Sequence, residues 1–246
     1  RVAMKLIHTK SNETLLKEIP SIPFHDLSIV FYLFLDKDEH GQMTVLIRND
    51  HLPIWNTDTS ELYKLAIDNT PRLYPPCIRS MASLINDMLF VNGTLIQPSF
   101  AAASQNALDL TDSPIPLSIL TNTSGIFGAS AMLYPGVLKE FSKKIGHDLI
   151  ILPSSVHEVL LLPYDSTYSF QEMADMVKDV NEKCVPVEEQ LSNQVYYYSS
   201  TQDSIFLGGD PGSYPDFLSF GILFHIQKHL FHFQHPVTQL RRLLEV

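Results

Sequence analysis

Ser154, Ser155, His157 and Glu158 crowd into the run ILPSSVHEVLLLP, from Ile151 to Pro163. A hydroxyl, an imidazole and a carboxylate are the raw material of acyl transfer: the imidazole takes the proton of an attacking serine, and the acid orients the imidazole. The surrounding residues do not supply the rest of that machinery. No G-x-S-x-G elbow frames either serine, and Leu161 stands where H-E-x-x-H requires its second histidine. Two apolar strands flanking a Pro153-Ser154-Ser155 break put His157 and Glu158 next to each other on a strand, where neighbouring side chains project to opposite faces and share no target. On that reading the serines form a turn, and His157 is a buried structural histidine with a polar partner.

Two other groups of residues carry chemical potential. Arg72 and Arg79, seven apart with Asn69 nearby, would make an anion-binding corner if a helix starts at Pro76 with its first N–H groups pointing outward; the structural alternative is a salt bridge tying two helices together. His225, His229 and His232 have the i, i+4, i+7 spacing of one helix face and would present imidazoles to zinc or nickel. Their surroundings, Phe217 to Phe233, are apolar on nearly every side but broken by His225, Gln227, Lys228 and His229, which suits a partner-seeking tail better than a membrane span. Tyr196, Tyr197 and Tyr198 are expected to alternate between core and surface on a strand.

The elements that must position these residues are those of a packed protein. Of 246 residues 45% are hydrophobic and 18% charged, enough apolar surface for a sizeable core and too little charge for disorder throughout. Seventeen Lys and Arg against 27 Asp and Glu give a formal charge of -10, which repels phosphate backbones and anionic headgroups. Nucleic acid is therefore excluded as a first reading, no membrane span is visible, no cofactor is indicated, and a protein partner stays open. Cys77 and Cys184 form neither a CxxC site nor a disulfide framework, which suits a cytoplasmic protein. The start RVAMKLIHTK lacks the continuous apolar core of a signal peptide.

Along the chain, Val2 to Ile7 reads as an edge strand, Asn12 to Ile19 as a short helix, and Leu27 to Leu35 with Met43 to Arg48 as a hairpin built on a central strand. Asp58 with Glu61 opens a helix that ends at Pro71, and a second helix is expected from Pro76 through Met88. Residues 91 to 116 read as a long loop. Leu117 to Thr121 and Gly128 to Leu133 are expected as strands, Pro135 to Ile145 as a helix stopped by Gly146, Asp148 to Leu152 with Val156 to Leu162 as a hairpin, and Ser169 with Glu172 as the capping box of another helix. Val195 to Tyr198 and Ser204 to Leu207 close the regular part. Short connections favour antiparallel pairing, giving an α+β fold with a mixed, mainly antiparallel sheet and flanking amphipathic helices.

The segments IPFHDLSIVFYLFL, NTPRLYP, IRSM, ILTN, GASAMLYPGVL, ILPSSVHEVLLLP and VYYYS resemble, in order and spacing over about residues 1 to 205, a domain-of-unknown-function family abundant in gut clostridial bacteria. The resemblance implies intracellular α+β proteins without an established activity, cofactor or catalytic residue, and an N-terminal stretch ahead of Arg1, so that 1–207 is expected as one N-terminally truncated domain and 208–246 as an unmatched tail. Together these readings point to a cytoplasmic, non-catalytic interaction or regulatory domain of a bacterial family. The competing reading is a hydrolase-like or anion-binding enzyme that uses Ser154, Ser155, His157 and Glu158 with Arg72 or Arg79.

Overall fold

The computed structural model describes residues 1–38, 41–81, 83, 117–167 and 169–209. The fold is α+β, and every strand pairing among these residues is antiparallel. In chain order the elements are strand β1 (Val2–His8), helix α1 (Glu13–Leu16), strands β2 (Ser21–Phe24), β3 (Leu27–Asp38) and β4 (Gly41–Leu46), helices α2 (His51–Trp55) and α3 (Thr59–Leu73), and strands β5 (Pro76–Ser80) and β6 (Ser118–Asn122). Helix α4 (Val137–Ile145), strands β7 (Leu149–Ser155) and β8 (Glu158–Pro163), helix α5 (Phe170–Cys184), and strands β9 (Tyr196–Ser199) and β10 (Ser204–Leu207) follow.

Two sheets result. In the first, β3 is central, with β1 along one side and β2 and β4 in succession along the other. The second has the order β10-β9-β7-β8-β6-β5. They share one core, in which Met4, Leu6, Ile29 and Phe31 of the first sheet meet Leu120, Ile151, Leu161 and Tyr196 of the second. The far face of the second sheet, with Ile119, Ile150, Leu152 and Leu160, buries the Met173, Met176 and Val177 stripe of α5. That helix begins as its sequence requires: Ser169 accepts the amide of Glu172, a cap that contributes about 1 kcal/mol.

Three expected elements differ. Residues 76–80 form a strand, not the start of a helix, because they pair with Asn122 to Ser118 along their whole length. Pro76 suits either role, since its missing N–H falls on the outer edge of β5 as harmlessly as in a first helical turn. Gly128–Leu133 is a 3-10 segment, not a strand, and Gly128 through Met132 are buried. Its small side chains fill the space between the sheets, where a strand would have left its own polar groups unpaired. Helix α3 runs past Pro71 to Leu73: the proline removes a single bond in the last turn, and Tyr74 still donates to the Thr70 carbonyl at 2.8 Å. The expected helix over 81–88 and the loop over 91–116 fall almost wholly outside the described residues.

Specific groups guard positions on four strand edges. Outward N–H groups of an edge strand invite pairing with other chains unless something occupies or removes them. On β1 the outward amide of Met4 donates to Thr70 Oγ1 at 3.1 Å, so α3 seals that edge. On β10 the outward carbonyl of Ile205 meets His25 Nε2 at 3.0 Å. The alternation of ladder bonds places Pro23 of β2 and Pro76 of β5 at outward positions, where proline has no donor to expose.

Gly128 fixes how closely the 3-10 segment packs: a Cβ there would lie 2.2 Å from Thr121 Oγ1, 2.5 Å from the His157 carbonyl and 2.8 Å from the Asn122 amide. Two of these neighbours are backbone and cannot swing aside. Gly128→Ala is expected to lower stability by about 3 kcal/mol, the upper end for overpacking, measured by urea unfolding.

Candidate functional site

The turn of the β7–β8 hairpin is Val156-His157, one step later than the Pro153-Ser154-Ser155 break read from sequence. Strand β7 continues through Ser155, with a bulge between Pro153 and Ser155 absorbing the irregularity. Ser155 is fully buried, and its Oγ accepts the backbone N–H of His157 at 3.0 Å, so it meets the main chain of the histidine. Ser154 is half-buried on the strand, and Glu158 is the first residue of β8, opposite Ser155.

His157 pins three pieces of chain together. Its Nδ1 accepts the Phe127 amide at 3.2 Å, its carbonyl accepts the Thr121 hydroxyl at 2.8 Å, and its Nε2 faces Glu189 Oε1 at 3.7 Å. Because Nδ1 is an acceptor, the ring proton of the neutral form sits on Nε2, toward the carboxylate of Glu189. The acid beside this histidine is therefore Glu189. The imidazole stacks on Phe127 with centroids 5.9 Å apart and planes 12° from parallel. The Lys5 ammonium sits 4.1 Å from the centroid of the same phenyl ring, and burial pushes the Lys5 amine down from its usual range. Phe127 itself holds φ +54°, a left-handed conformation that costs a bulky residue of order 1–3 kcal/mol and persists only where its surroundings enforce it.

The arginines take separate positions. Arg72 is exposed in the last turn of α3. Arg79 is buried on β5 in a cross-strand row with Ile119 and Leu160, two strands across and three residues along from the His157 turn, and its Nη2 lies 3.4 Å from Ser83 Oγ. No helix begins at Pro76, so the expected anion-binding corner has no helix N-terminus to build on. His225, His229 and His232 lie outside the described residues. Among the described residues, no group of three His, Cys, Asp or Glu is placed to hold a metal ion. Cys77 and Cys184 are unbridged, and among the described residues no helix is long and apolar enough to cross a membrane.

A second cluster, unread in the sequence, gathers around the tyrosine strand. All three tyrosines of β9 are buried, against the expected alternation of core and surface. Burial demands a partner for each phenol, and each finds a carboxylate from a different turn or strand end: Tyr196 donates to Asp26 at 2.6 Å, Tyr197 to Asp148, and Tyr198 to Asp203 at 2.6 Å. Burial and the neighbouring carboxylates push all three phenols far up. Asp26 also accepts the Ser192 hydroxyl at 2.6 Å and faces His8 Nε2 at 3.9 Å. The Nδ1 of His8 lies 2.7 Å from Ser11 Oγ. An H-x-x-S pair at the end of a strand is visible in the sequence; Asp26 is not, because only the β1–β3 register, with His8 opposite Leu27, brings it alongside.

These features define an α+β protein of two packed antiparallel sheets whose polar side chains are spent mainly on joining turns. The chain belongs to the Family of unknown function (DUF5688), whose model matches residues 1–200. No curated protein and no solved structure matches it.

His157→Ala, which strands the Phe127 amide and removes the ring stack, is expected to cost about 2 kcal/mol of unfolding free energy, measured by urea titration. Asp148 supplies a pH test. Burial raises its pKa, but the hydrogen bonds from Ser200 and Tyr197 outweigh burial and hold it below the usual range. A carboxylate depressed by folding contributes stability that is complete above its unfolded pKa of about 4 and is lost as pH falls through the folded value. Melting temperature followed from pH 6 to pH 2 is expected to drop less steeply below about pH 4 in Asp148→Asn than in the parent chain.

Proposed function

We propose that the chain is an interaction domain that binds an extended segment of a partner protein along the outer edge of β4. The observation that carries this reading is the contrast among the strand edges. Thr70, His25, Pro23 and Pro76 each occupy or remove an outward group on four of them, while among the described residues β4 pairs only with β3 and carries no such device. Ile47 donates to the Phe31 carbonyl, so ladder alternation points the Thr44 and Leu46 amides outward. The strand GQMTVL has no charge and no proline, the two devices that usually guard an edge. Met43 is 63% exposed, Val45 42% and Leu35 38%, an apolar strip beside the open backbone. An incoming strand satisfies both the amides and the strip at once.

The partner's chemistry follows from charge. At -10 the chain repels a second copy of itself and nucleic acid alike, and it steers neutral or basic proteins toward the uncharged strand. The two unbridged cysteines support a reducing compartment such as the cytoplasm. The Ser154 to Glu158 turn enters this reading as scaffold, since the acceptor nitrogen of His157 is spent on a backbone amide.

Selection of a random peptide library on the folded chain tests the proposal. It is expected to enrich peptides that alternate apolar residues and carry net positive charge. Thr44→Pro removes an outward donor without touching the β3 ladder and is expected to weaken their binding at least tenfold, with the fold unchanged by circular dichroism. No enrichment, or peptides that bind Thr44→Pro undiminished, would overturn it. So would a stable dimer in light scattering that Thr44→Pro dissolves, which would make the occupant a second copy.

A further inference from the structure

We infer that Ser11, His8 and Asp26 form a nucleophilic site for acyl transfer, independent of the β4 edge. His8 ends β1, and the chain turns at once into the 3-10 segment Lys10–Asn12. Asn12 Nδ2 donates back to the His8 carbonyl at 2.8 Å, and this tight return sets Ser11 Oγ 2.7 Å from His8 Nδ1. On the other side of the ring, Nε2 faces Asp26 Oδ2 at 3.9 Å. The carboxylate is held in place: Oδ1 accepts the Tyr196 phenol and Oδ2 the Ser192 hydroxyl, both at 2.6 Å. A nucleophile bonded to a base whose far nitrogen faces an acid is the arrangement that activates a serine. The 3.9 Å gap is longer than a hydrogen bond, and such contacts commonly tighten only when substrate binds.

His157 provides the internal comparison. Both imidazoles take a polar group on Nδ1 and face a carboxylate with Nε2. The group on Nδ1 of His157 is a backbone amide, which has no chemistry to offer; on His8 it is a hydroxyl on an exposed residue. The amide of Ser11 also points at the same nitrogen, at 3.4 Å, so His8 caps the 3-10 turn as well. The cap needs only the Ser11 backbone, which lets substitution of the side chain separate the two roles.

In the reaction Ser11 Oγ attacks the carbonyl carbon of an activated acyl donor, an aryl ester or thioester, and its proton passes to His8 Nδ1. The bond to the leaving group breaks, and the leaving group takes that proton. Water, deprotonated by the same nitrogen, then releases the acid and restores Ser11. Asp26 acts through His8 as a positioning residue: it keeps the ring proton on Nε2, leaving Nδ1 free to accept.

The test is labelling of the chain with a fluorophosphonate, read by intact mass and peptide mapping. The expected result is one adduct, on Ser11, absent from Ser11→Ala, whose exposed position leaves the fold intact. Hydrolysis of p-nitrophenyl acetate is expected to fall in parallel. In Asp26→Asn, labelling is expected to slow at least tenfold, and the ring ¹⁵N shifts of His8 to show the proton shared between both nitrogens. No adduct on the parent chain, or an adduct that survives Ser11→Ala, would overturn the site. An unchanged rate and unchanged ring shifts in Asp26→Asn would overturn the role of Asp26.

Discussion

A backbone amide or carbonyl at the edge of a sheet must find a partner, and that requirement organises the two sheets of this protein. It explains why α3 lies where it does, with Thr70 reaching the Met4 amide while its own hydroxyl donates back to the Ala66 carbonyl at 2.6 Å. It explains why His25, at φ +54° in the β2–β3 turn, is aimed at the Ile205 carbonyl of the second sheet. One contact thereby closes an edge and joins the two sheets. The same requirement makes β4 conspicuous, because among the described residues it pairs with β3 alone, beside exposed Met43 and Val45, and an edge left in that state is a liability that folded proteins normally remove.

Polar side chains follow a similar logic on a smaller scale. The three carboxylates that meet the β9 phenols come from the β2–β3 turn, the residue before β7, and the β9–β10 turn, so one buried strand anchors three connections. Each pairing exchanges a water-bonded phenol for a charge-assisted bond, which is roughly twice as strong as a neutral one. The His157 turn is anchored likewise, with the Val156 amide on the Glu189 carbonyl at 2.9 Å and the Ala129 amide on the Val156 carbonyl at 3.3 Å. Residues that resemble an active site in one dimension are here joints between elements.

Legibility in the sequence tracked the range of the interaction that decides each feature. Capping boxes at Asp58 and Ser169, the Gly146 stop and the β3–β4 hairpin depend on residues a few positions apart, and they stand where periodicity and turn chemistry place them. Residues 76–80 and 128–133 read otherwise because pairing with β6 and confinement between two sheets, both long-range, override local preference. The α+β class was legible for the first reason. The His157 cluster was half legible: the histidine stood out, whereas Phe127 and Glu189 lie 30 and 32 residues away and become neighbours only through tertiary packing, Phe127 beside the close approach at Gly128 and Glu189 through its carbonyl on the Val156 amide. Asp26 was silent for the same reason, since a carboxylate in a hairpin turn carries no local sign of the histidine that register will set beside it.

Amide hydrogen exchange of the dilute, monomeric chain tests most directly whether β4 is the one edge left open among those described. Met4, bonded to Thr70, should exchange slowly, while the Thr44 and Leu46 amides should exchange at rates near those of an unstructured peptide and slow only when a strand-forming peptide is added. Protection of Thr44 and Leu46 equal to that of Met4 in the free monomer would mean that the edge is already closed, and the interaction surface would have to be sought elsewhere.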